Sequence, residues 1–203
     1  MRRIALHAFP ALLASLCLVV PATAQQSTTR GFVIGLHGSG ASLVVEDQDR
    51  NNAGGGGIIV GYGVNRRITV LAQADGAEFD EQSTGEIQGT WTMGHFDLGM
   101  RFNFANSLRR LVPFLQGTFG ARAVSVDDPL VNGTTEEEVS FTGPSITLGG
   151  GVDIYFSEGF ALDLALLWTG GEFNTVRVNN TSLSGFDFDA RSTRLNIGVA
   201  WWP

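Results

Sequence analysis

The chain has 203 residues, with 13 basic against 20 acidic side chains and a formal charge of −7. Every basic residue is arginine, glycine is abundant at 27, and the one cysteine, Cys17, lies in an N-terminal apolar run. The acid excess argues against nucleic acid as a partner. The position of Cys17 excludes disulfides and thiolate metal or catalytic sites from everything beyond that run.

The first segment has the pattern of an export signal. Arg2 and Arg3 form a basic start, residues 4–20 an apolar stretch, and Ala22-Thr23-Ala24 a small-residue cleavage site before Gln25. Leu16 is too bulky before Cys17 for a lipoprotein signal. Residues 1–24 are expected to be a signal peptide and 25–203 one barrel domain. Loss of Arg2 and Arg3 leaves 11 bases against 20 acids, about −9. No later stretch is apolar for eighteen residues, so no transmembrane helix is expected.

About eight strands follow, near 31–45, 56–65, 67–78, 88–104, 112–126, 139–157, 159–171 and 190–202. The fourth alternates with little error: Thr92, Gly94, Phe96, Leu98, Met100, Phe102 and Phe104 share one face, and Met93, His95, Asp97, Gly99, Arg101 and Asn103 the other. In the later strands the oily parity carries Leu115, Phe119, Ile146, Leu148, Leu164, Leu166, Leu195 and Ile197. The opposite parity collects His37, Gln73, Asp75, His95, Asp97, Arg101, Gln116, Arg122, Asp153, Asp163, Arg194 and Asn196, together with many glycines. A soluble lipocalin-like barrel would turn the oily face inward. Eight strands enclose little room, however, so glycines and paired charges suit the inner face. The expected fold is therefore all-β, a closed antiparallel up-and-down transmembrane barrel.

Connections alternate short and long, as in outer-membrane barrels with periplasmic turns and external loops. Short ones are Asn65-Arg66-Arg67, 105–111 and Ser157-Glu158-Gly159, whereas long ones fall near 46–55, 79–87, 127–138 and 172–189. Arg66, Arg67, Arg109 and Arg110 fall in short turns, and fourteen acids, from Glu46 to Asp189, fall in the long loops. Trp91, Trp168, Trp201, Trp202, Phe104, Phe114, Phe156 and Phe160 near strand ends suit interfacial aromatic belts.

Pro113-Phe114-Leu115, Gly149-Gly150-Gly151-Val152-Asp153 and Arg194-Leu195-Asn196-Ile197-Gly198-Val199 carry a resemblance. The whole mature chain resembles the small eight-stranded outer-membrane barrel family that includes outer-membrane protein X, the Ail adhesins and the barrel of outer-membrane protein A. The resemblance implies a non-enzymatic role in envelope integrity or adhesion, in a Gram-negative-type outer membrane. Its implied partners are outer-membrane lipid and lipopolysaccharide, the barrel-assembly machinery and an unknown external ligand, for a monomer without cofactor. Family members usually end in an aromatic residue that the assembly machinery reads. This chain ends Trp201-Trp202-Pro203, a departure in which Trp201 keeps the oily register.

Four constellations bear on chemistry. His95, Asp97, Arg101, Arg122, Asp153, Asp163 and Arg194 are expected as interior charges that pair into a structural plug. His37-Gly38-Ser39 has the spacing of the histidine and serine of an outer-membrane lipid A hydrolase, but the inward parity and no clear acidic orienter argue against catalysis. Asp127, Asp128, Glu136, Glu137 and Glu138 could hold a hard divalent cation, although their spacing matches no calcium loop. Asn132-Gly133-Thr134 and Asn179-Asn180-Thr181-Ser182 read as turn chemistry.

Overall fold

A period of two in apolar residues commits the chain to strands. In the computed structural model, described over residues 27–45, 51–79, 87–104, 110–131, 134–135, 138–178 and 181–203, strands are the only regular structure. They are β1 (Gly31–Val45), β2 (Asn51–Gly63), β3 (Ile68–Phe79), β4 (Ile87–Asn103), β5 (Leu111–Val131), the two-residue β6 (Thr134–Thr135), β7 (Glu138–Tyr155), β8 (Phe160–Val178) and β9 (Thr181–Trp201). The expected signal peptide lies outside the described residues.

Each long strand pairs antiparallel with its neighbours, and pairings of β1 with β9 and of β4 with β5 close the sheet into a barrel of eight long strands. Closure removes the free edges that would otherwise recruit other chains. Following partners along Ile34, Val60, Ala72, Leu98, Phe119, Ile146, Gly170, Arg191 and Val44, one circuit returns to β1 ten residues further on. Such an offset tilts strands by about 35–45° to the barrel axis.

Thr28, Trp202 and the tight turns 64–67 and 156–159 lie at one end of the barrel. Asn65 makes the first turn by accepting the backbone N–H of Arg67 at 2.8 Å and of Ile68 at 3.0 Å, the Asx geometry that its side chain favours.

Strand lengths differ from the expectation at the opposite end. The segments 127–138 and 172–189 are largely strand, because β5 runs to Val131, β7 starts at Glu138, β8 reaches Val178 and β9 begins at Thr181. In water both faces of a ribbon tolerate polar residues, so pairing continues where the apolar alternation stops. Backbone ladder bonds, such as Asp127 opposite Glu138 and Glu172 opposite Asp189, carry these extensions.

The oily parity faces outward. Leu36, Phe96, Phe119, Ile146, Leu148, Leu166 and Leu195 are among many large apolar side chains exposed on the wall. The other parity is buried with its charges, which settles the choice against a soluble lipocalin-like barrel. An exterior this apolar is stable only in a lipid environment.

Candidate functional site

The interior is filled in layers. At the turn end Val33, Val112, Tyr155, Ala161, Ala200 and Trp202 form an apolar cluster. At the loop end Ala41, Leu43, Ala77, Phe79, Met93, Val124, Phe173 and Ala190 form another, joined by half-buried Trp91 and Phe141. Trp202 and Phe114 thus lie inside the barrel, a correction to the expected aromatic belt. Trp202 follows outward Trp201, and Phe114 stands between outward Pro113 and Leu115, so parity overrides position near a strand end. Phe114 lies beneath the Arg101 guanidinium, 3.7 Å from its ring centre, which suits a cation–π contact.

Between the clusters runs an ionic core. Arg101 Nη1 reaches Asp163 Oδ2 at 2.6 Å and Asp153 Oδ1 at 3.7 Å. Arg194 Nη1 reaches Asp75 Oδ2 at 2.6 Å, while its Nη2 lies 3.3 Å from Asp97 Oδ2 and donates to Thr169 Oγ1 at 3.1 Å. Two glutamines join these halves. Arg101 donates to Gln116 Oε1 through Nε and Nη2, Gln116 donates to Gln73 Oε1 at 2.9 Å, and Gln73 donates to both oxygens of Asp75. An arginine only donates and a carboxylate only accepts, so the two ends fix both amide orientations. A void of about 10 Å³ between Thr69, His37, Arg101 and Asp163 has room for one water.

All seven interior charges expected from the sequence are buried. Arg122 departs from simple pairing. Its Nη2 donates to the carbonyls of Gly171 and Ala190 at 3.1 Å each, and the guanidinium lies 4.6 Å from the Phe173 ring centre. Neither ring nitrogen of His95 finds a hydrogen-bond partner among the described residues. Asp75, which the sequence placed on the inner face without a role, is the hub: it binds Arg194, Gln73 and His37.

His37 does have an acidic neighbour, since its Nε2 lies 2.6 Å from Asp75 Oδ1. That overturns the expectation of no acidic orienter. Ser39 Oγ nevertheless has no hydrogen-bond partner among the described residues, and His37 and Ser39 are both buried inside the wall. The arrangement holds an ion pair in place and offers no nucleophile to lipid. Of the cation candidates, Glu136 and Glu137 lie outside the described residues, while Asp127 and Glu138 are register partners on β5 and β7.

A closed eight-stranded barrel with an oily wall, a charged and hydrogen-bonded interior and apolar caps is an outer-membrane β-barrel. A profile described as outer membrane protein beta-barrel domain matches residues 11–201, and the chain belongs to that family. Among solved structures it is similar to Neisserial surface protein A, with a TM-score of 0.62 and 16% identity over 84% of this chain and 96% of that one. It is also similar to Ail, the attachment invasion locus protein of Yersinia pestis, with a TM-score of 0.55 and 13% identity over 85% of this chain and 100% of that one. No curated protein matches by sequence.

Proposed function

We propose that this barrel is a non-enzymatic surface-contact protein, whose work is done by strand extensions that stand outside the membrane. A tilted strand needs about 9–11 residues to cross the bilayer. β5 and β9 each have 21 residues and β8 has 19, against 13 in β2 and 12 in β3. That surplus on one side carries the proposal. The extensions and their connections hold Asp127, Asp128, Glu136, Glu137, Glu138, Glu172, Asp187 and Asp189 against Arg177 and Arg191. Charge complementarity therefore favours a basic partner. Ail has been solved with the heparin analogue sucrose octasulfate, yet the acids here disfavour so anionic a ligand.

Export by removal of residues 1–24, insertion by the barrel-assembly machinery and a monomeric state belong to the same proposal. So does a secondary part in envelope integrity. A lipid A hydrolase finds no support in the inward His37 and Ser39.

Val126 and Val139 are register partners, as are Phe173 and Phe188. Two-residue turns can therefore replace 127–138 and 174–187 without disturbing the barrel. Cells displaying the shortened chain, its fold checked by heat-modifiable migration, should bind a basic matrix protein several-fold less than cells with the full chain. Equal binding by the two would refute the surface-contact reading.

A further inference from the structure

The wall closes where β1 meets β9, paired from Ile34 opposite Trp201 to Val45 opposite Ala190. Every other ladder between long strands joins neighbours in sequence, whose connection keeps them together. β1 and β9 have no such connection, so their ladder is the closure seam. A ladder without a covalent tie opens most easily from its ends.

At the turn end the seam is bordered by the 156–159 turn, which joins β7 to β8. Two adjacent carbonyls of this turn receive the segments that flank the seam. Glu158 O accepts the backbone N–H of Thr28, just before β1, at 3.0 Å. Gly159 O accepts the backbone N–H of Trp202, just after β9, at 2.7 Å. The leader of β1 therefore passes beyond β9 to reach the turn of the next hairpin.

Side chains complete the anchorage. The Tyr155 hydroxyl donates to the Thr28 carbonyl at 2.6 Å, and Thr29 Oγ1 donates to the Arg66 carbonyl of the other tight turn at 2.7 Å. Ser27 and Thr29 are buried. Residues 27–29 thus form a strap across the mouth, held on turns from opposite sides of the seam. Gly31, with φ +95°, turns this strap into β1, a conformation that suits glycine. Close approach matters at two further glycines. A methyl group at Gly63 would strike the Thr29 carbonyl oxygen, and one at Gly159 the Trp202 carbonyl oxygen.

We propose that the 156–159 turn is a clasp for the closure seam. By holding the segments that flank β1 and β9 on neighbouring carbonyls, it keeps the seam shut from the turn end, and the strap braces it from the Arg66 side. A clasp differs from bonds that only add to global stability, because it acts on one ladder. Without it, the β1–β9 pairs nearest the turn end open while the rest of the wall stays paired. The inference rests on the closed barrel and is independent of the surface-contact reading.

Hydrogen exchange of the full mature chain in lipid nanodiscs, followed residue by residue with NMR, separates the two accounts. Tyr155→Phe and Thr29→Val each remove one anchoring bond at nearly constant volume. Either should speed exchange between the Ile34–Trp201 and Leu36–Val199 pairs by about two- to tenfold, the effect of losing one hydrogen bond. The β3–β4 and β4–β5 ladders should exchange as in the parent. Gly159→Ala, which pushes on the Trp202 carbonyl, should loosen the same pairs from the β9 side. Gly120→Ala, in mid-wall, is the control and should not single out the seam. Heat-modifiable migration checks that each variant is folded, and if Gly159→Ala fails to fold the two isosteric variants still decide. Seam exchange as slow as the parent's in Tyr155→Phe and Thr29→Val, or an equal acceleration on every ladder, would overturn the clasp.

Discussion

Gln116 on β5 donates its amide to Gln73 on β3 at 2.9 Å, across the barrel interior and past the strand that separates them in the wall. This bond is the link between the Arg101 and Arg194 clusters. Each amide has one orientation, with its oxygen towards Arg101 and its nitrogen towards Asp75.

Gln73→Leu should therefore cost about 1–3 kcal/mol, because it leaves Gln116 and Asp75 short of a partner in a dry interior. Gln116→Leu should cost a similar amount. The double variant should lose clearly less than the sum of both, as members of one network are not additive. Urea unfolding in lipid vesicles measures all three, and strict additivity would dissolve the relay into separate contacts.

Arg194→Met removes the cation shared by Asp75 and Asp97. Breaking a buried pair from one side costs about 3–5 kcal/mol. Adding Asp75→Asn and Asp97→Asn to Arg194→Met should restore part of that loss, because no buried carboxylate is then left uncompensated. If the triple variant is less stable than Arg194→Met alone, charge balance is the wrong account of this core.

Outward parity gives a second, opposite kind of sensitivity. Leu148→Arg and Leu166→Arg face lipid and should cost about 2–4 kcal/mol near the bilayer midplane. An arginine at Val64, exposed beside the first tight turn, should cost much less. Vesicle unfolding checks the series, and a flat profile with depth would contradict the membrane orientation.

Glycines divide the same way. A methyl group at Gly120 would collide with the Phe96 carbonyl oxygen and approach Asp97, whereas one at Gly76 meets nothing within 4 Å. Gly120→Ala should destabilise by about 1–3 kcal/mol as overpacking does, and Gly76→Ala should be neutral or slightly stabilising. Equal effects would show that the interior has slack at Gly120.

Fold class was legible because strand parity is strict from Thr92 to Phe104 and again from Phe160 to Trp168. The same rule already put Asp75 inside, but the partner of Arg194 could not be read. It depends on which strands face one another across the barrel, and that depends on the ten-residue offset. Strand lengths beyond Val126 and Gly171 exceed the expectation for another reason. Acids and asparagines signal a loop when pairing is judged by hydrophobicity, although backbone ladders need no oily side chains. Trp202 and Phe114 were assigned to the membrane surface by proximity to strand ends, when their parity already pointed inward.

Filling has an electrical consequence. Among the described residues, Phe79, Met93 and Phe173 pack an apolar cap at one mouth and Tyr155 and Trp202 another at the opposite mouth. The parent protein should give no stepwise current in a planar bilayer. Shaving the first cap alone with Phe79→Ala, Met93→Ala and Phe173→Ala should leave the bilayer silent, because the second cap remains. Stepwise current from the parent would contradict the filled barrel.

The unequal wall makes the molecule lopsided about its own axis. Among the described residues the wall is lowest at β2 and β3, with 13 and 12 residues. On the β5–β9 side it continues like a parapet, with ribbon pairing as its masonry. In the surface-contact role proposed above, a partner would meet that crest from a fixed compass bearing relative to the barrel.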